Sequence, residues 1–198
     1  MAVRGTIDNF KSKVNADFAR PNLFKVDINF PGEIISQSGG LVDLAKFTIR
    51  AANLPASQIG VIEVPFRGRV LKIAGDRTFE PWTITVQNDS KFLIRSAFEK
   101  WAQAIQAYDE NFTSASGLHS PDDKTGYFAD MEVHQLSRDD QESGAHKVIK
   151  SYKFYNVFPS SIAAIDLDFG NNDAIEEFTV ELQTQYWTPI PPKNEKGS

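Results

Sequence analysis

The stretch Phe79–Asn88, FEPWTITVQN, reads with a period of two. Trp82, Ile84 and Val86 point one way, joined at the strand end by Glu80, while Thr83, Thr85 and Gln87 point the other way. Successive side chains of an extended chain leave on opposite sides, so this is a strand with one apolar face and one polar face. A slip of one residue would bury the polar row, which specifies the register strongly. The end of the chain repeats the pattern. Ile175, Phe178, Val180, Leu182, Thr184 and Tyr186 oppose Glu177, Thr179, Glu181, Gln183, Gln185 and Trp187.

Working outward, more strands follow from the same rule. Phe24, Val26, Ile28 and Phe30 alternate with Leu23, Lys25, Asp27 and Asn29 until Pro31-Gly32 stops them. Ala45–Ala52 is read as a strand carrying Phe47 and Ile49. Gln58–Val64 is another, confined by Pro65 to an edge or an end. Phe66–Ala74 and Phe79–Asn88 are expected to form a hairpin turning at Gly75-Asp76-Arg77-Thr78. Tyr127–His134 and Val148–Phe158 complete the set, with Ser137–Ala145 as a charged tip between them. Glu33–Gly40 reads as a polar loop, and Asp109–Thr125 as a long one of the kind that is mobile or functional.

One long helix interrupts the strands. Ile94, Phe98, Trp101, Ile105 and Tyr108 are spaced 4, 3, 4, 3 over Ser90–Tyr108, behind a cap at Asn88-Asp89. Fully burying five such side chains contributes on the order of 10 kcal/mol before entropy, so the helix is docked on the sheet. A shorter helix is expected over Ile7–Val14, capped by Thr6, with Ile7, Phe10 and Val14 on one side. The sum is a mainly β fold: an antiparallel β-sandwich or barrel with one packed α-helix, not an alternating α/β sheet. Residues 1–20 are expected to be an arm, 21–188 the β domain, and 189–198 a flexible Pro-rich tail.

The chemistry is spare. The 198 residues contain no cysteine, so disulfide scaffolds and thiol catalysis are excluded. The formal charge of −5 disfavours a general binder of nucleic acid or anionic membrane. The apolar runs are too short for a membrane span, and the start lacks a signal-peptide core, so a soluble chain made in a cytoplasm, with no stable membrane association, is expected. His119, His134 and His146 each stand alone in sequence. Asp166–Glu177, DLDFGNNDAIEE, mimics a calcium loop, but Gly170 and Asn171 stand where a ligand and then the Gly are needed, so a Gly-Asn turn is the better reading. No G-K-[ST] and no G-x-S-x-G is present. No catalytic residue, cofactor or metal site is assigned, and an enzyme is not expected. A ligand-binding sandwich would need an aromatic cleft, yet the aromatics fall mostly on core faces.

The polar strand faces have a physical use. Solvation is the ordinary one. The inside of a water-filled tube is another, because a neutral-to-acidic lining does not grip phosphates, which are held by Lys and Arg. A polyanion slides along it without sticking.

Three stretches carry a resemblance: DFARPNLF at Asp17–Phe24, AGDRTFEPWTITVQN at Ala74–Asn88, and Asn156–Trp187 with NVFPSSIAAIDLDFGNN followed by AIEEFTVELQTQYW. Through them, over roughly residues 15–188, the chain resembles the tail tube family of T-even-type contractile-tailed bacteriophages. The resemblance implies rings of six copies, stacked into a tube whose inner barrel is closed by strands from all copies. It implies a sheath polymerised outside, baseplate and terminator proteins at the ends, and DNA passing through an acidic lumen without specific binding. It places the protein in the virion tail, assembled in the host bacterial cytoplasm. A tube initiator or terminator, or the tube of a phage-like injection system, is the alternative. Thr83, Thr85, Gln87, Thr179, Glu181, Gln183 and Gln185 are the candidates to face the lumen; Phe10 and Arg77 are the candidates for contact between subunits. The long N-terminal segment, the Asp109–Thr125 loop and the tail beyond Trp187 depart from the family.

Overall fold

The computed structural model describes residues 7–13, 18–32, 40–109, 126–142 and 145–191. Thr6, Val14, His119 and nearly all of the two polar loops lie outside them. The elements run α1 (Ile7–Lys13), β1 (Phe24–Ile28), α2 (Leu41–Thr48), β2 (Ile49–Ala52), β3 (Ser57–Phe66), β4 (Arg69–Phe79), β5 (Trp82–Gln87), α3 (Leu93–Ile105), β6 (Ala129–Glu142), β7 (Ala145–Ile162), β8 (Glu177–Gln183) and β9 (Tyr186–Ile190).

All strand pairs are antiparallel. β7 is the hinge of the architecture. Its first part joins β6 on one edge and β9 on the other, with β1 beyond β6; its last part, Phe158–Ile162, joins β8, followed by β5 and β2. The bend falls at Asn156, whose φ of 53° is left-handed. Asn tolerates that region, and the bulge it makes is anchored by the Asn156 N–H donating to Asp130 Oδ1 at 3.2 Å. The bulge shifts the alternation, so Phe154 and Val157 both reach the core.

The two halves of the sheet face each other across one core. Val26, Ile28, Met131, Val133 and Phe154 meet Trp82, Ile84, Val86, Phe178, Val180 and Leu182. Trp82 and Phe154 stack with centroids 4.2 Å apart. α3 adds Ile94, Ala97, Phe98 and Trp101, with Phe30 edge-on to both rings. The buried indoles keep their N–H groups satisfied: Trp101 donates to Tyr127 O and Trp82 to Asn53 O, each at 2.7 Å.

Several expectations are corrected. Ala45–Thr48 is helical, because Leu41, Leu44 and Ala45 share a helical face on β1; Phe47, read as a strand residue, is 85 % exposed. α3 ends at Ile105, leaving Tyr108 outside the helix and exposed. The N-cap position is Phe92, at φ 54° and without a side-chain cap bond, while Asn88 donates to Glu176; Asp89, three residues before Phe92, still accepts from Leu93 N–H at 2.9 Å and Lys91 N–H at 3.2 Å. Strand pairing continues into the charged segment after Ser137, as far as Glu142 with Ala145. The final strand is broken at Thr184-Gln185, opposite the β7 bend, and resumes as β9 through Ile190. The break moves Trp187 from the polar row to the core side, where it pairs with Phe154. The Gly-Asn turn expected before β8 is present: it spans Asp168–Asn171, with Gly170 N–H donating to Asp168 Oδ1 at 2.9 Å and Asn171 N–H to the Asp168 carbonyl at 3.2 Å.

The hairpin is the largest correction. β4 runs straight through Gly75-Asp76-Arg77-Thr78. The turn is Arg67-Gly68, both at positive φ (44° and 82°), which matches the twist of a two-residue connection. Gly75 serves another purpose. With Asp76 it forms a bulge opposite Gly60, where a Cβ on Gly75 would lie 3.1 Å from the Gly60 carbonyl oxygen.

Candidate assembly surfaces

The register of β5 on β8 brings the predicted polar row together. Thr83 pairs with Glu181, Thr85 with Thr179 and Gln87 with Glu177, on the side opposite the buried Trp82, Ile84, Val86, Phe178, Val180 and Leu182. Gln183 extends the row, donating from Nε2 to Glu181 Oε1 at 3.3 Å, and Ser160 Oγ donates to the Glu181 carbonyl at 3.1 Å. Gln185 stands apart, in the break between β8 and β9. Glu177, on the polar face of the final strand by its alternation, stands in the row as well, and the register adds Arg50, whose Nη1 donates to both Glu177 carboxylate oxygens. Among the described residues the row ends at open edges, β2 on one side and the Phe158–Ile162 segment on the other.

Among the described residues β3 and β4 form a separate two-stranded ribbon, paired only with each other. Its two faces differ. Ile62 with Ile73, Val64 with Leu71, and Phe66 with Arg69 make an almost purely apolar side. Val61 with Ala74, Glu63 with Lys72, and Pro65 with Val70 make the other, which carries an ion pair at 3.8 Å. All five large apolar side chains of the first face are exposed. The ribbon's base is clamped to the domain: Trp187 Nε1 donates to Ala56 O at 3.1 Å, its ring meets Phe79 edge-on, and Gln58 Nε2 donates to Glu80 Oε1 at 2.5 Å.

Of the other candidates, Arg77 stands on β4 opposite Ile59, so the turn in which it was expected does not exist. Phe10 is exposed on α1, its ring stacked on Phe18 at 6.2 Å. His134 is not isolated in space. Its Nδ1 lies 2.7 Å from Ser151 Oγ and its Nε2 3.1 Å from Asp27 Oδ2. A proton on Nε2 donates to Asp27 and leaves Nδ1 to accept from the hydroxyl. Ser151 is only 9 % exposed, in mid-sheet between β6 and β9. The trio ties β1, β6 and β7 together. Among the described residues no three His, Asp or Glu side chains could hold a metal ion, and no helix is long and apolar enough to cross a membrane.

On an antiparallel β-sandwich, an exposed apolar ribbon and open sheet edges are surfaces of the kind that contact other chains. The chain belongs to the phage tail tube protein family, whose model matches residues 19–189, and its role is that of a tube component of a contractile phage tail. It is 34 % identical over 173 residues to the tail tube protein gp19 of Enterobacteria phage T4, covering 87 % of this chain and 93 % of that one. It is 29 % identical over 182 residues to the tail tube protein of Serratia phage KSP90, covering 90 % and 93 %. Its fold is similar to a chain in the cryo-EM structure of the anti-feeding prophage baseplate, with TM-score 0.59, 13 % identity, and 90 % and 99 % covered.

Proposed function

We propose that six copies close a ring and that rings stack into the tail tube, with the polar face of β5 and β8 lining the channel. The open margins of β2 and Phe158–Ile162 pair between neighbouring copies, which removes the exposed edges and continues the four-strand sheet around the ring. The β3–β4 ribbon lays its apolar side on another copy. That ribbon is the observation that carries the reading. Burying Ile62, Val64, Phe66, Leu71 and Ile73, each already partly shielded, contributes on the order of 5 kcal/mol per copy. Repeating such a heterologous contact builds a filament.

The tube is assembled in the host cytoplasm and carries the sheath outside, with baseplate and terminator proteins at its ends. Its role is structural rather than catalytic. Hydroxyl, amide and carboxylate groups on the lining let DNA slide without specific binding. Electron microscopy of purified protein with its tail initiation components tests this. Wild type forms tubes, and Leu71→Glu with Ile73→Glu forms none while keeping the monomer's circular dichroism. Tubes of normal length from that variant contradict the reading.

A further inference from the structure

Four strand segments make the sheet proposed to line the channel: Ile49–Ala52, Trp82–Gln87, Glu177–Gln183 and Phe158–Ile162. They contain a single cation, Arg50. The register shift between Ile49 and Ala51 leaves Arg50 unpaired in the ladder. From there it reaches across β5 and grips both oxygens of Glu177 on β8. Arg50 is 61 % exposed and Glu177 26 %. A pair this exposed contributes little to stability, so fold maintenance is a poor account of it.

Its charge matters more. An uncovered guanidinium is a fork that fits a phosphate, and each copy in a tube repeats it along the path of the DNA. Such contacts add up and make retention depend steeply on salt. We propose that Glu177 is a mask: its carboxylate holds Arg50 at Nη1 and neutralises its charge, so that the channel offers no unpaired cation to a passing phosphodiester backbone. This rests on the polar face of β5 and β8 lining the channel.

The test uses tubes assembled from wild type, Glu177→Gln, the double variant Arg50→Gln/Glu177→Gln, and Glu181→Lys. The readout is retention of a short fluorescent DNA duplex by pelleted tubes at about 50 mM and about 300 mM salt. Glu177→Gln is expected to retain about tenfold more duplex than wild type at low salt, with the excess lost at high salt. The double variant returns to the wild-type level. Glu181→Lys places a new cation on the same face and reports on the face alone. If it raises retention while Glu177→Gln does not, the mask is overturned and the channel assignment stands. If neither raises retention, the channel assignment has failed and takes the mask with it. If the double variant retains as much as Glu177→Gln, Arg50 is not the cation concerned, which also overturns the proposal. Should Glu177→Gln alone assemble poorly, tubes mixed with wild-type subunits give the same readings.

Discussion

Val180 and Val61 are the same residue type in antiparallel strands of the same chain. Val180 is completely buried between the two halves of the sandwich, whereas Val61 on the β3–β4 ribbon is 61 % exposed. The contrast extends to whole regions. In the sandwich each apolar strand face meets another from the same chain. In the ribbon the backbone is paired but neither face is covered among the described residues, and one face carries five large apolar side chains. The difference separates two tasks. The sandwich makes the subunit, and the ribbon is the half-finished core that the proposed assembly completes with another copy.

The largest expected effect sharpens that contrast through stability. Trp82→Ala opens a cavity against Phe154 and removes the bond to Asn53, at about 3–5 kcal/mol in urea unfolding of the monomer. Leu71→Ser on the ribbon changes monomer stability by less than about 0.5 kcal/mol. Equal losses for the two would mean that the ribbon packs on its own domain. Trp187→Leu comes next. It removes the indole bond to Ala56 and the edge contact with Phe79, at about 1 kcal/mol. Faster deuterium exchange at Ser57–Ile59 is expected with it, while β5 and β8 exchange as before; unchanged exchange at the ribbon base would remove Trp187 from the clamp. Gly75→Val crowds the Gly60 carbonyl and forces the bulge open. It is expected to slow tube assembly severalfold, with monomer stability lowered by about 1 kcal/mol; assembly at the wild-type rate would show that the bulge does not set the ribbon's direction.

The smallest effect is a pH dependence within the sandwich. Burial disfavours the Lys153 ammonium, but its hydrogen bond to Asp130 and the charges around it outweigh burial and raise its pKa. A raised pKa in the folded state means that this contribution is fully present below the unfolded-state value, about 10.4, and is lost as pH rises through the folded-state value. Lys153→Met should therefore flatten the alkaline limb of the stability curve. An unchanged limb would assign that pH dependence to other groups.

Much of this was legible in the sequence, for local reasons. β5 and β8 alternate apolar with polar over consecutive residues, and period two needs no knowledge of the partner strand. The α3 stripe is similarly local. The misreadings have non-local causes. Phe47 and Ile49 alternate like strand residues, but the packing of Leu41 and Ala45 on β1 makes that segment a helix. Gly75-Asp76 has turn chemistry, but what the first needs is room beside Gly60, fifteen positions earlier. The candidate surfaces divide in the same way. The polar row was visible strand by strand, and its coalescence onto one face came only with the register. Arg50 and Glu177 are 127 positions apart, so no spacing rule connects them.

The most direct test of the central claim is a cryo-EM reconstruction of the assembled tube at side-chain resolution. The account predicts Thr85, Thr179 and Glu181 on the channel wall, with Ile62, Val64 and Leu71 pressed against a second copy. Ribbons whose apolar side stands in solvent, in a tube held together by other surfaces, would contradict it.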